Sequence, residues 1–329
     1  MDMSIRVGIV GTGFARVHVE ALKKIPGTEV CAITSRKKER AKEFSKANGI
    51  KAEAFDCFKE MLDSAKPDAV YVCLPPFAHE GEVEMAADRG IHLLLEKPIA
   101  INSRKARKMV DAIESNRVKS QVGFHMRFRK SVRRLKKMID NGAAGRPTLF
   151  TGRFWANMEC SEWWRDKKRS GGQVFEQVIH TYDLATYLFG KVEKADGILR
   201  NICHKGRKDY TIEDTSIGAL QFTNGAVGVI TGSNCAVPNH YFGDFRAVCE
   251  KVTLDYKSTG QSWIEPDKAL LYLGSKKEEI AEDEDPYLLE NKDFIDAIRK
   301  NKETVTPARA GLETILIVES VIKNIIKGN

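Results

Sequence analysis

The stretch Ile5-Arg6-Val7-Gly8-Ile9-Val10-Gly11-Thr12-Gly13 decides the fold. Its first six residues carry Ile and Val around Arg6 and Gly8, which predicts a short strand running into a Gly-x-Gly turn. Beyond the turn, Val17, Ala21, Leu22 and Ile25 fall on one helical face, and Pro26-Gly27 stops the helix. A strand, a glycine turn and an amphipathic helix in that order open a βαβ unit. Such a turn lets the backbone approach a pyrophosphate, whose charge the helix N-terminus stabilises. The third glycine of a Gly-x-Gly-x-x-Gly turn would fall at residue 16, which is Arg16 here.

Outward from this stretch the alternation continues. Strands are predicted at residues 29–34, 69–74, 92–95 and 120–124, and helices at 37–47, 80–89 and 104–115. This rhythm predicts a doubly wound parallel sheet covered on both faces. Ligands of such sheets bind at the carboxyl ends of the strands. There lie Gly11 and Gly13, Ser35-Arg36, Leu74 to His79, and Glu96-Lys97-Pro98. After residue 125 the rhythm changes. Alternating stretches at 148–157, 195–202, 211–222, 226–233, 245–256 and 269–274 are joined by turns such as Asn224-Gly225. They predict an α+β domain with a large, mostly antiparallel open sheet and helices at 173–189, 287–299 and 308–327. The expected division is residues 1–124 and 125–329.

The chain has 329 residues, 42% of them hydrophobic, 30% charged and 8% aromatic, the composition of an ordinary globular protein. No apolar run approaches the roughly 20 residues of a membrane helix. The opening apolar stretch reads as a strand rather than a secretory signal, so a cytoplasmic location is expected. The seven cysteines (31, 57, 73, 160, 203, 235 and 249) are scattered without a Cys-x-x-Cys pair, so neither a disulfide framework nor a metal site is expected.

The net charge of +8 is local. Residues 101–150 hold 14 basic and 3 acidic side chains, so the rest of the chain is slightly acidic. Arg127, Arg129, Lys130, Arg133, Arg134, Lys136 and Lys137 crowd one segment, in which Val132, Leu135, Met138 and Ile139 mark an apolar helix face. Without interleaved aromatic residues to stack on bases, this predicts a solvated basic face and no nucleic-acid partner. The acidic residues 278–285 read as a solvated loop.

The second strand of a dinucleotide fold usually ends in a carboxylate that binds the ribose of NAD. Here it ends Thr34-Ser35-Arg36-Lys37, with none. A hydroxyl followed by a guanidinium suits a ribose 2′-phosphate, which favours NADP with NAD as second choice.

With Glu96-Lys97-Pro98 in view, the chain resembles the glucose–fructose oxidoreductase, inositol dehydrogenase and rhizopine catabolism (Gfo/Idh/MocA) family. Its ordered motifs are Gly11-x-Gly13, Leu74-Pro75-Pro76-Phe77-Ala78-His79, residues 91–98, residues 123–128, Trp164-Arg165, Ser170-Gly171-Gly172 through His180, and Asp183-Leu184. The resemblance implies a Rossmann domain, a second domain whose open sheet carries the substrate, and NAD(P)-dependent oxidation or reduction of a sugar, polyol or related compound. It implies cofactor contacts at Gly11, Gly13, Phe14, Ser35, Arg36, Leu74, Pro75, His79, Glu96, Lys97, Trp164 and Arg165, with Tyr287 a weaker correspondence. It also implies a homo-dimer or homo-tetramer. Three departures stand out. The loop from Gly13 to His18 is one residue shorter than is usual, Pro76 and His125 stand where asparagine is common, and Glu176 replaces the more frequent aspartate of the D-x-x-x-H motif.

The chemistry of these residues points the same way. His180 is the natural proton carrier, since imidazole titrates near neutrality. Glu176, four residues earlier, orients the ring or binds a neighbouring hydroxyl. Lys97 stabilises negative charge on the substrate oxygen. Asp183 is either a further substrate contact, beside Lys97 and His180, or a structural carboxylate. His18, His79 and His125 are read as structural or cofactor-adjacent. Two other functions stay open: a nucleotide-binding sensor or regulator without turnover, and an NAD-dependent polyol dehydrogenase.

Overall fold

The computed structural model describes residues 4–157, 161–235, 241–258 and 267–324. Cys160 and the predicted helical end at 325–327 lie outside them. The first run of elements is β1 (Ile5–Val10), α1 (Ala15–Leu22), β2 (Thr28–Thr34), α2 (Lys38–Ala47), β3 (Glu53–Phe55), α3 (Phe58–Ala65), β4 (Ala69–Val72), α4 (Glu82–Ala87), β5 (His92–Leu95), α5 (Ser103–Ser115) and β6 (Ser120–Val122). The six strands form a parallel sheet in the order β3-β2-β1-β4-β5-β6. This is a Rossmann sheet, with its switch point between β1 and β4.

The second run is α6 (Lys130–Asp140), β7 (Pro147–Ala156), α7 (Glu162–Arg165), α8 (Lys167–Ser170), α9 (Gln173–Glu176), α10 (Ile179–Phe189), β8 (Val192–Arg200), β9 (Thr215–Phe222), β10 (Val227–Ser233), β11 (Tyr241–Phe242), β12 (Phe245–Cys249), β13 (Val252–Lys257), β14 (Lys268–Leu273), β15 (Lys276–Ala281), α11 (Pro286–Lys300) and α12 (Ala308–Lys323). A nine-stranded sheet runs β15-β14-β13-β12-β7-β10-β9-β8, with β11 paired to β7. Its pairings are antiparallel except β7 with β10. The alternating burial of β9 reflects one covered and one open face.

Two expectations change here. The single helix expected at 173–189 is broken after Glu176, where the Val178 amide bonds the Gln173 carbonyl five residues back at 3.1 Å and widens the coil. The acidic stretch is not a loop throughout, because β15 takes Lys276–Ala281. Nor is it only solvated. Glu278 pairs with Arg134 and Glu284 with Arg133, while Asp283 lies 3.0 Å from Lys130. The Glu282 carboxylate accepts from the Lys130 and Ser131 amides at 2.8 and 2.9 Å, at the head of α6. The basic outer face of α6 is thus partly neutralised by this chain's own acidic stretch.

By internal contacts the chain forms two compact units: Met1–His125 with Asp285–Leu312, and Met126–Glu284 with Glu313–Asn329. The expected assignment of everything beyond residue 124 to one domain therefore changes for α11. Phe294 and Ile295 of that helix are fully buried in the first unit's core beside Ile5, Val19, Leu22 and Tyr71. Each such side chain contributes about 1.5–3 kcal/mol by leaving water, so α11 completes the Rossmann unit.

Candidate active site

In the first unit, the candidate cofactor residues gather at the carboxyl ends of the strands. Gly11 closes β1 at φ +87°, and a Cβ there would stand 2.5 Å from the Cys73 carbonyl oxygen. Only glycine suits that close approach of backbone to backbone. A Cβ on Gly13 would meet nothing within 4 Å. Phe14, the N-cap of α1, is 40% exposed. The first turn of α1 has no acidic residue of its own and no side-chain cap. A pyrophosphate fits such a helix start.

At the end of β2, Ser35 donates its amide to Phe55 at 3.1 Å, and Arg36 is exposed. Among the described residues Arg36 has no ion-pair partner and no side-chain hydrogen bond. Leu74 and Pro75 are half-buried beyond β4. His79 is buried, and neither ring nitrogen has a hydrogen-bond partner among the described residues. Burial, helped by the Lys105 charge, pushes the His79 imidazole down to about 4, so the ring is neutral at pH 7.

Beyond β5, Glu96 is turned inward. Its Oε1 lies 2.9 Å from Nε2 of the fully buried His18, and Oε2 accepts the Lys97 amide at 3.1 Å. A Cβ on Gly123 would come within 3.0 Å of both oxygens. Each Glu96 carboxylate oxygen thus has a partner within the protein, and the side chain braces the backbone at Lys97. The Lys97–Pro98 peptide is cis. Asn291 of α11 sets its Nδ2 3.1 Å from His18 Nδ1, and Tyr287 of the same helix stacks on His125 with centroids 4.5 Å apart.

In the second unit, Glu176 ends α9 and His180 lies in the first turn of α10, both half-buried. The Trp164 indole N–H donates to Glu176. Trp164 is only 4% exposed, packed with Tyr210, Ile212 and Trp163. Trp164 thus packs in the core and holds the Glu176 carboxylate. Arg165 pairs with Asp209 at 3.3 Å, and its carbonyl accepts the Thr211 amide at 2.9 Å. The Ser170-Gly171-Gly172 turn has a local reason. Gly172 sits at φ +111°, where a Cβ would fall 2.6 Å from Glu213 Oε1, and that carboxylate accepts the Val174 amide at 3.0 Å.

Asp183 is fully buried, and Arg127 donates Nε to Oδ2 at 2.9 Å and Nη2 to Oδ1 at 2.5 Å. Burial pushes this carboxyl up, while Arg127 and a hydrogen bond from Thr314 hold against it. Of the two roles open to Asp183, burial and the Arg127 pair fit the structural carboxylate. Asn291 and Glu213 are supporting residues that no motif marked, while His18 takes the structural role expected of it and Arg127 leaves the expected solvated face for a buried ion pair. Their partners lie 39–273 positions away.

A glycine turn at the switch point of a Rossmann sheet, in one chain with a mostly antiparallel nine-stranded sheet, defines a dinucleotide-binding oxidoreductase. The family model described as "Oxidoreductase family, NAD-binding Rossmann fold" matches residues 5–124, and that of the "GFO/IDH/MocA C-terminal domain" matches residues 132–255. The chain belongs to the Gfo/Idh/MocA family and is an NAD(P)-dependent oxidoreductase. It is similar to myo-inositol 2-dehydrogenase of Thermotoga maritima, 29% identical over 237 residues, which cover 71% of this chain and 70% of the relative. It is also similar to inositol 2-dehydrogenase of Rhizobium meliloti, 24% identical over 338 residues, 98% and 97% of the two chains. The fold matches levoglucosan dehydrogenase, solved in complex with NADH and levoglucosan, with a TM-score of 0.87 over 97% of this chain and 96% of that one, at 20% identity. Among the described residues no helix is long and apolar enough to cross a membrane.

Proposed function

We propose that this protein is an NADP(H)-dependent oxidoreductase that moves a hydride to or from a CH–OH or carbonyl carbon of a sugar, polyol or related carbohydrate-like compound. The observation that carries it is the contrast within the glycine turn. Gly11 is closed on the protein's own backbone, whereas Gly13 stands open at an uncapped helix start. The relatives named as inositol dehydrogenases support the substrate class. Ser35 and the exposed Arg36, with no carboxylate at the end of β2, support NADP over NAD through charge-assisted bonds to a 2′-phosphate.

The nicotinamide group, when bound, supplies or accepts the hydride. The protein's task is the hydroxyl proton. On this reading His180 carries it, and Glu176, held by the Trp164 N–H, orients the ring or a neighbouring hydroxyl. Lys97, whose amide is anchored on Glu96, stabilises the oxygen as charge develops. Residues 1–124 together with α11 would hold the cofactor. The remaining chain would carry the substrate and, through the open face of its sheet around Leu149, Ile217 and Val227, a homo-dimer or homo-tetramer contact.

The test is turnover on a panel of sugars and polyols with both cofactors. Lys97→Met and His180→Asn are expected to lose about a hundredfold or more in kcat while binding the cofactor as the wild type does. Wild-type protein that binds cofactor but turns over nothing on the panel would favour the sensor instead.

A further inference from the structure

Cys203, Asp214 and Cys235 meet at one corner of the second unit, with their sulfur and carboxylate oxygen atoms within 4.8 Å of one another. The corner is assembled around Asp214, which is fully buried. Its carboxylate accepts from the amides of Ile202, Cys203 and His204 at 3.0, 2.7 and 3.1 Å. It also accepts from Thr215 Oγ1 and pairs with His204 Nδ1, both at 3.1 Å. The Asp214 carbonyl accepts the Asn234 amide at 2.8 Å, which sets Cys235, the next residue, against the same corner. Two cysteines far apart in sequence are thereby held in register by main-chain bonds, with their sulfurs within 4.8 Å of each other.

A soft divalent cation is the first ligand that such a corner suggests. Yet the Asp214 oxygens already take five donors, and a metal would have to displace them. What remains is a pair of neighbouring sulfurs, one exposed and one half-buried, with no S–S bond between them.

We propose that Cys203 and Cys235 are a dithiol–disulfide modification site whose oxidant is a small-molecule disulfide of the glutathione type. The exposed Cys203 attacks first, as its thiolate, forming a mixed disulfide and expelling one thiolate of the oxidant. The Cys235 sulfur then attacks Cys203 Sγ and expels the second. One S–S bond forms in the protein, and the oxidant's S–S bond is broken. The two cysteine protons end on two released thiols, and the two electrons lost by the cysteines reduce the oxidant. The order follows from exposure and charge, because burial, the Cys203 thiol and the Asp214 carboxylate push the Cys235 thiol up to about 12.

The cross-link joins the loop between β8 and β9 to the end of β10. Tyr210 of that loop packs with Trp164, and its hydroxyl accepts from Asn234 at 2.9 Å. Since Trp164 holds Glu176, the staple sits beneath one of the proposed active-site carboxylates.

The experiment treats the whole protein with oxidised glutathione and maps peptides without reduction. A cross-linked pair containing Cys203 and Cys235, reversed by dithiothreitol, is expected. Cys235→Ser should instead retain glutathione on Cys203, and Cys203→Ser should give no cross-link. Amide exchange over residues 201–214 should slow at least tenfold in the oxidised wild type. A mixed disulfide on Cys203 that never resolves in the wild type would overturn the proposal. So would one tightly bound zinc per chain that shields both thiols, or preferential reaction at other cysteines.

Discussion

His18 and Glu96 form a buried pair, Nε2 to Oε1 at 2.9 Å, directly behind Lys97. Asn291 donates to Nδ1, so the ring proton sits on Nε2 and points at the carboxylate. Removing the carboxylate strands that proton in the core. Glu96→Ala is therefore expected to lose about 3 kcal/mol in denaturant unfolding, and Glu96→Gln, which keeps an acceptor, about 1 kcal/mol. An unchanged midpoint for the alanine variant would refute the brace.

The two glycines of the first turn should separate stability from binding. Gly11→Ala places a Cβ 2.5 Å from the Cys73 carbonyl at positive φ, and about 2–4 kcal/mol of stability should go. Gly13→Ala meets no protein atom, so its unfolding midpoint should match the wild type. Its affinity for NADPH should fall about tenfold or more, since only a bound pyrophosphate would feel the methyl. Wild-type affinity in Gly13→Ala would remove the turn from the cofactor site.

Stability should fall with acid through His79. Its folded value near 4 lies below the ordinary 6.5, so below about pH 6.5 the unfolded chain takes up a proton that the folded chain refuses. The contribution is complete above that pH and is lost as the pH falls towards 4, by about 3 kcal/mol in all. Unfolding measured across this window should show the slope in the wild type and lack it in His79→Gln. Equal slopes would mean that the ring is hydrated in solution.

Cofactor choice rests on Arg36. Titrating tryptophan quenching should give at least a tenfold preference for NADPH over NADH, each tenfold being worth about 1.4 kcal/mol. Arg36→Ala should remove that preference and leave NADH binding as it was. A wild type that prefers NADH would move the polyol-oxidising alternative forward.

Most of the parallel sheet was legible because its helices are announced by local signals, such as Gly11-x-Gly13, Pro26-Gly27 and Gly90, whereas β3 and α3, between residues 53 and 65, went unread. The allegiance of α11 was not, since a helix period at 287–299 states that a face is buried and not against which partner. The same limit applies to Asp183. Its spacing from His180 suggested a shared task, and only the fold brings up Arg127, 56 positions earlier, to claim it. The four-residue spacing of Glu176 and His180 was legible, but the break between them depends on a Gln173 carbonyl shared out of step, which no periodicity reveals. The acidic and basic stretches looked solvated because residue composition carries no trace of long-range pairing.

The return of α11 to the first unit has a consequence for synthesis. When residue 125 leaves the ribosome, the Rossmann sheet is fully encoded, but Phe294 and Ile295, which belong to its core, are not yet made. At about 5–20 residues per second, that gap lasts on the order of ten seconds. The nascent sheet must wait with an apolar patch uncovered while the whole second sheet is translated. Chaperone binding to a stalled 125-residue chain, and its release once residue 312 has emerged, would trace that wait.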